Sequence, residues 1–300
     1  MDTQMTTVVR RRTEPDPDDP VDEPGPPPAE GGRAGRNLVA AVGVGVALAG
    51  AIVASLTFRK EAFVALTCAA IVLGVWELAG ALAVKRLNIP VLPLAVGSVG
   101  ILVSAYVAGR EGLVVAFALT AFGALLWRVI DGVDGAARDI AASVFAAAYV
   151  PLLAGFAMLM LGAQDGAARV AVFIVVTVAS DTGGYTAGVL FGRRPMAPTV
   201  SPKKSWEGFA GSVLTSMAAG VTAVLLLLHG PWWAGLAVGA AAAVTATLGD
   251  LSESLLKRDL GIKDMGTLLP GHGGMMDRLD SLLPTAPAVY LLLALFVTPH

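Results

Sequence analysis

The chain has 300 residues, of which 55% are hydrophobic and 15% are charged. An average globular protein carries about 25% charged residues, so this composition excludes a water-soluble globule, a disordered chain and a collagen-like repeat. It indicates a membrane protein. The net charge of −2 leaves no strongly basic surface for a polyanion, so we expect no nucleic-acid partner.

Residues 1–36 are rich in proline, glycine and acidic residues, and they hold 8 of the 23 acidic residues of the chain. Such a segment cannot bury enough apolar surface to offset the entropy of ordering, so we predict a disordered cytoplasmic tail. The segment lacks the apolar core and the cleavage site of a secretory signal peptide.

Apolar segments recur from Asn37 onward, and each is long enough to cross about 30 Å of hydrocarbon. Because every backbone amide in a bilayer needs an internal partner, long runs without alternating polarity indicate helices. We therefore predict an all-α, polytopic integral membrane protein with about nine transmembrane helices. N-terminal helices at 37–165 precede a region at 166–300 that holds most of the polar clusters and is the expected catalytic region. The predicted spans are 38–58, 62–84, 90–109, 112–130, 140–162, 168–190, 208–228, 232–250 and 281–298.

The basic residues predict the orientation, because lysine and arginine are retained on the cytoplasmic side far more often than outside. With a cytoplasmic N-terminus, 17 of the 21 basic residues fall on the inner side, all except Arg59, Lys60, Arg110 and Arg169. We therefore expect a multi-pass protein of the cell membrane. Its two most polar loops, 191–207 and 251–280, would face the cytoplasm, where nucleotides are available.

Two polar clusters lie within predicted spans. Glu77 is a lone intramembrane carboxylate, which is costly in a membrane and suggests a function, although contact with a neighbouring helix is the alternative. Asp181 and Tyr185 are four residues apart and share one helix face. They are expected to form part of a site that binds a cation or a base, with simple helix packing as the alternative.

A third cluster occupies residues 191–208. Ser201 followed by Pro202 predicts an N-cap and a first helical position, with Lys203, Lys204 and Ser205 in the opening turn. Amide N–H groups and the helix dipole attract anions there, so we expect phosphate binding. The alternative is that the basic residues only contact acidic lipid headgroups.

The fourth cluster, residues 249–281, contains the most polar chemistry. Its first part is a helical stripe formed by Asp250, Glu253, Ser254 and Lys257. A glycine-rich turn at 270–274 then precedes Asp277, Arg278 and Asp280. Carboxylates from separate elements, beside glycine amides and basic side chains, are the recurrent arrangement for holding Mg²⁺ against a polyphosphate. His272 would contact a phosphate or act as a general acid, and the alternative is that it caps a backbone carbonyl.

The run SLLKRDLGIKDMGTLLPGHGGMMDRLD, residues 254–280, resembles the signature of the phosphatidate cytidylyltransferase family. The segments SDTGGYTAGVLFGRR and SPKKSWEG are similar to the blocks that precede this signature in the family. The resemblance covers about residues 170–298. It departs from the family at Gly184, where alanine is usual.

The resemblance implies transfer of CMP from CTP to phosphatidic acid, which gives CDP-diacylglycerol and pyrophosphate. It implies that Asp250 and Asp277 hold Mg²⁺, with K⁺ as an optional second cation. The expected partners are CTP, phosphatidic acid and membrane lipids, and a homodimer is left open. The expected catalytic residues are Asp181, Lys257, Arg258, His272 and Asp280. The expected substrate-binding residues are Tyr185, Ser201, Lys203, Lys204, Ser205, Ser254, Lys263, Gly271, Gly273, Gly274 and Arg278.

Three alternatives are weighed against this interpretation. A CTP-dependent lipid kinase would transfer the γ-phosphoryl group instead of the nucleotidyl group. A CDP-alcohol phosphotransferase is suggested by residues 131–139, but the spacing from Asp134 to Arg138 is one residue short of that family's motif. A transporter would also place acidic residues within a membrane, but the sequence shows no convincing repeat between its halves.

Overall fold

The computed structural model describes residues 33–266 and 273–298. Residues 1–32 of the expected disordered tail lie outside this part of the chain. The helices are α1 (Arg33–Phe58), α2 (Lys60–Ala83), α3 (Val91–Asp131), α4 (Ala136–Ala147), a π-helical turn (Ala148–Leu152), α5 (Leu153–Leu161), α6 (Gly166–Phe191), α7 (Trp206–Leu227), α8 (Trp232–Leu260), α9 (Met276–Leu279) and α10 (Leu282–Phe296). Two short strands, β1 (Pro195–Ala197) and β2 (Ser201–Ser205), lie between α6 and α7.

The expected helical, membrane-spanning architecture is confirmed. Among residues 33–266 and 273–298, seven helices are long and apolar enough to cross a membrane. The predicted count of nine is not confirmed. Two of the predicted spans, 90–109 and 112–130, correspond to the two limbs of α3, which the seven include as one helix. The predicted span 38–58 lies in α1, whose apolar part Gly45–Phe58 is shorter.

Helix α3 reverses its direction at Gly109. The backbone there leaves the helical region, with φ 65° and ψ −145°, a conformation that glycine adopts without steric cost. The two limbs of α3 lie against each other, because Gly97 packs directly on the side chain of Thr120. This reversal explains why the sequence predicts two spans in one 41-residue helix.

The π-helical turn between α4 and α5 contains Pro151. Proline has no N–H to donate and its ring clashes with the carbonyl of the preceding turn, so a locally wider turn accommodates it within a long helix. Val150 and Pro151 are buried there. Together α4, the turn and α5 form one apolar span from Ala136 to Leu161.

Helices α6, α7 and α8 pack at close range through small residues. Gly183 of α6 lies against Thr215 of α7, and the backbones of α7 and α8 meet at Gly220 and Gly235. Ser212 Oγ donates a 2.8 Å hydrogen bond to the carbonyl oxygen of Ser180, which ties α7 to α6. Small side chains permit this approach where lipid provides no hydrophobic drive between helices.

A β-hairpin replaces the helix start that the sequence predicts at Ser201. β1 and β2 pair in antiparallel register, with Pro195 opposite Ser205 and Ala197 opposite Ser201. Helix α7 begins only at Trp206, and its N-cap is Ser205, whose Oγ accepts a 3.1 Å hydrogen bond from the Gly208 N–H. The expectation that Lys203 and Lys204 lie in an opening helical turn is therefore wrong, because the capping hydroxyl comes from the later serine.

Candidate active site

Five carboxylates from three separate segments gather at the polar end of α8. We call them the acidic cluster: Asp181 of α6, Asp250 and Glu253 of α8, Asp277 of α9, and Asp280 after α9. Asp250 lies within electrostatic range of both Asp181 and Asp280. Glu253 lies within the same range of Asp277 and Asp280. Like charges repel at this range, so cations or bound protons among the carboxylates stabilise the cluster.

Lys257 bridges two members of the cluster. Its Nζ donates hydrogen bonds of 3.0 Å to Glu253 Oε2 and 2.9 Å to Asp277 Oδ1. Glu253 lies one helical turn before Lys257, so the geometry of α8 brings these two side chains together. Asp277, by contrast, belongs to α9. The predicted polar stripe on α8 is confirmed, and Lys257 joins it to the next segment.

Lys204 reaches the cluster from the β-hairpin. Its Nζ forms an ion pair with Asp250 Oδ2, and both side chains are about a quarter exposed. β2, instead of the predicted helix start, therefore carries this basic side chain to the carboxylates.

Backbone amides hold Asp277 in place. Its Oδ2 accepts hydrogen bonds of 2.8 Å from the Gly274 N–H and 3.1 Å from the Met265 N–H. Gly273 has φ 80°, which favours glycine, and a Cβ at this position would lie 3.2 Å from Asp277 Oδ2. The expected proximity of these glycines to the carboxylate is observed.

Ser281 connects two further members of the cluster. Its Oγ donates a 2.9 Å hydrogen bond to Asp181 Oδ2, and its N–H donates a 2.8 Å hydrogen bond to Asp280 Oδ1. Ser281 is only 4% exposed, so this link is shielded from water. No pattern in the sequence marks Ser281 as part of the site.

Two polar cavities adjoin the cluster. One, of about 550 Å³, is lined by the predicted residues Asp181, Tyr185, Ser201, Lys203, Lys204, Ser205 and Asp250. The other, of about 800 Å³, is lined by the predicted residues Ser201, Lys203, Ser254, Lys257, Arg258 and Lys263. Ser201 and Lys203 line both cavities, so the structure brings most of the predicted residues into one connected region.

Gly271 and His272 are outside the described residues. Arg278 lines a third, mainly apolar cavity of about 430 Å³, together with Asp181 and Ser281. This cavity extends from the cluster among apolar residues of α2, α5, α6 and α10.

Glu253 belongs to the predicted polar stripe, and its environment makes it a further functional candidate. It is 1% exposed, and its Oε1 is buried without a hydrogen-bond partner among the residues that the structure describes. The Tyr149 hydroxyl is also buried and has no hydrogen-bond partner among the described residues. It lies within electrostatic range of Glu253, Asp280 and Asp250. The spacing from Asp250 to Lys257 contained the signal for Glu253, whereas no local pattern marks Tyr149.

The donor chemistry of the cluster fits a hard cation such as Mg²⁺. Among residues 33–266 and 273–298, no three acidic or histidine side chains form a ready-made metal cage. Mg²⁺ usually binds one or two carboxylates together with waters and substrate phosphates, so such a cage is not required. Glu253 Oε1 is buried and has no hydrogen-bond partner among the described residues. The ion pairs of Lys204 and Lys257 involve Asp250, Glu253 and Asp277 of the five carboxylates, and this surplus of acidic groups is compatible with an added cation.

The alternative motif at residues 131–139 has a structural role. Asp139 is 4% exposed, forms a 3.1 Å ion pair with Arg128, and accepts a 3.0 Å hydrogen bond from the Asn88 N–H. Asp139 is thus fully used in joining α3 and α4. This observation argues against a CDP-alcohol phosphotransferase site there.

Fold and site together define an integral membrane protein whose buried carboxylates and lysines are suited to phosphate chemistry. The chain belongs to the cytidylyltransferase family, which it matches over residues 39–296. It is 42% identical to a phosphatidate cytidylyltransferase of Mycobacterium leprae over 279 residues, which cover 88% of this chain and 89% of that protein. It is 40% identical to a phosphatidate cytidylyltransferase of Mycobacterium tuberculosis over 282 residues, which cover 90% of this chain and 86% of that protein.

A more distant relative is the phosphatidate cytidylyltransferase of Bacillus subtilis. It is 42% identical to this chain over 123 residues, which cover 41% of this chain and 46% of that protein. The resemblance that the sequence motifs indicated is therefore confirmed at the level of the family.

Proposed function

We propose that this protein is a phosphatidate cytidylyltransferase that converts CTP and phosphatidic acid into CDP-diacylglycerol and pyrophosphate. Family membership and the names of its relatives support the reaction class. One observation carries the proposal: the acidic cluster, its lysines and the two polar cavities lie together at the end of apolar helices. Such a site can hold a nucleotide beside a lipid headgroup.

In this reaction, a phosphate oxygen of phosphatidic acid attacks the α-phosphorus of CTP. A new P–O bond forms, and the bond from the α-phosphorus to the bridging oxygen breaks, so that pyrophosphate leaves with the electron pair. The main obstacle is repulsion between two anions, and positioning and charge neutralisation supply most of the rate. A bound Mg²⁺, with K⁺ as an optional second cation, would supply part of this neutralisation, held by Asp250 and Asp277.

The chain's own basic residues act beside that site. Lys204 and Lys257 each contact a proposed metal ligand, and both line the polar cavities. They would therefore stabilise phosphate oxygens next to the carboxylates. Arg258 and Lys263 are exposed at the larger cavity and would attract the anionic substrates.

A product analysis tests the proposal against a lipid kinase. Purified protein is incubated with phosphatidic acid, Mg²⁺ and CTP labelled at either the α- or the γ-phosphorus. We expect the α-label in CDP-diacylglycerol, identified by mass, and the γ-label in pyrophosphate. A γ-label in the lipid with release of CDP would instead establish kinase chemistry, and solute uptake into vesicles without nucleotide turnover would favour a transporter.

The proposed location is the cell membrane, with a cytoplasmic N-terminus and the active site on the same side. The distribution of basic residues supports this orientation. Single cysteines introduced at Lys263 and at Arg110 in a Cys68→Ser background would be treated with an impermeant thiol reagent in intact cells. We expect labelling only at position 110, and labelling only at position 263 would reverse the orientation.

A further inference from the structure

Glu77 of α2 is a buried carboxylate that the proposed reaction does not use. Its side chain is 3% exposed, and its Oε2 accepts a 2.8 Å hydrogen bond from the Met276 N–H at the start of α9. Its Oε1 is buried and has no hydrogen-bond partner among the described residues. The bond links positions 199 residues apart, immediately beside Asp277.

Glu77 supplies a hydrogen-bond acceptor that the residues next to α9 do not provide. Met275 precedes the helix and makes no side-chain capping bond. The first amides of a helix have no partner within the helix, and a buried amide without a partner is costly. Glu77 therefore satisfies the Met276 N–H from a different helix, and it fixes the direction in which the chain enters Asp277.

Two glycines leave space for the Glu77 carboxylate. A Cβ at Gly274 would lie 2.5 Å from Glu77 Oε2, and a Cβ at Gly266 would overlap Oε1. The same Cβ at Gly274 would lie 2.8 Å from the Gly266 nitrogen, so the two backbones are adjacent. The carboxylate is consequently wedged against both of them.

Asp277 contacts the same two backbone segments. It accepts hydrogen bonds from the Met265 N–H and the Gly274 N–H, and it also accepts one from Lys257. Glu77 and Asp277 thus hold 265–266 and 274–276 together from opposite halves of the chain. A displacement of either segment would move the Asp277 carboxylate.

We propose that Glu77 is a positioning residue which, through Met276, Gly266 and Gly274, sets the orientation of Asp277 toward Lys257 and the substrates. The inference rests on the proposed function, because the positioned group matters only if Asp277 acts in the reaction. It assigns Glu77 no contact with substrate.

The first test compares Glu77→Gln and Glu77→Asp. Glutamine keeps the length and an acceptor oxygen, so we expect kcat within about threefold of wild type. Aspartate keeps the charge but is one methylene short of Met276, so we expect kcat to fall about tenfold and the half-saturating Mg²⁺ concentration to rise. Leu82→Ala, a buried apolar change in the same helix, should lower the melting temperature in detergent while kcat and the Mg²⁺ dependence stay near wild type.

A double-mutant cycle provides the second test. Gly266→Ala alone should reduce kcat, because the added methyl group displaces the Glu77 carboxylate. In a Glu77→Ala background the same change should have little further effect, so that the two losses are not additive.

Additive losses would overturn the proposal, and so would a Glu77→Asp enzyme with wild-type kcat and Mg²⁺ dependence. A Leu82→Ala variant that loses as much kcat as Glu77→Asp at an equal fall in melting temperature would also overturn it. If the wild-type protein makes no CDP-lipid, the proposed function fails instead, which is a distinguishable result.

Discussion

The hydroxyl of Ser281 donates a 2.9 Å hydrogen bond to the carboxylate of Asp181, and this bond joins α6 to the start of α10 inside the site. Ser281 also donates its N–H to Asp280, so one small residue orients two carboxylates. Because Ser281 is buried, no water molecule can readily replace its hydroxyl.

Ser281→Ala should therefore lower kcat about tenfold, the effect of losing one hydrogen bond to a charged group. The melting temperature should also fall modestly, because the Asp181 carboxylate loses a buried hydrogen-bond partner. CDP-diacylglycerol formation and the melting temperature in detergent are the measurements. Ser252→Ala is a matched control, since Ser252 is exposed and its hydroxyl contacts only its own helix at Leu248. Equal activities of the two variants would contradict a role for Ser281.

Asp250→Asn and Asp277→Asn should each reduce turnover about 100-fold or more while the protein remains folded. Each change removes the negative charge that would hold the cation and leaves Lys204 or Lys257 without an ionised partner at that position. Turnover is measured at several Mg²⁺ concentrations. The matched control is Asp259→Asn, an exposed position on the same helix α8, which should stay near wild type. Retained activity in either variant would remove the metal assignment.

Lys204→Met should lower kcat/KM for CTP about tenfold or more, because Asp250 loses its ion pair and the smaller polar cavity loses a cation. Initial rates at varied CTP concentration separate the effects on KM and kcat. Lys85→Met changes an exposed lysine outside the site and should leave both constants unchanged. The proposed phosphate-binding role of the hairpin would be wrong if the two variants had the same constants.

Deletion of residues 2–30 should leave kcat and KM within about twofold of wild type, because the proline-rich, acidic composition of this segment predicts that it contributes no packed surface. The truncated and full-length proteins are compared in the same detergent and in vesicles. A loss of activity in both environments would show that the tail contributes to catalysis, and a loss in vesicles alone would show that it contributes at the membrane surface.

The sequence predicts the features of this site that depend on local geometry. Glu253 and Lys257 form their ion pair because they are four residues apart on one helix, and helical spacing alone indicates this contact. The apolar segments likewise predict the membrane helices, because length and hydrophobicity determine whether a helix can cross a bilayer.

Contacts between distant segments could not be predicted in this way. The bond from Ser281 to Asp181 joins positions 100 residues apart. Helical spacing marks Asp181 as a site candidate, but no pattern in the sequence connects it to Ser281. At Ser201 the local signal was ambiguous, because both Ser201 and Ser205 carry a capping hydroxyl. The contact of Ser205 with the Gly208 N–H, together with pairing of the strands, decides where α7 begins.

The close packing around α7 has a consequence for how this enzyme can vary. α7 supplies neither a carboxylate nor a lysine to the site, yet it fits between α6, which carries Asp181, and α8, which carries Asp250. The spacing of those two acids thus depends in part on the bulk of side chains on a third helix, which packs against both. Substitutions among glycine, alanine and serine on the faces of α7 that contact α6 and α8 can therefore change catalytic efficiency while every charged group stays unchanged.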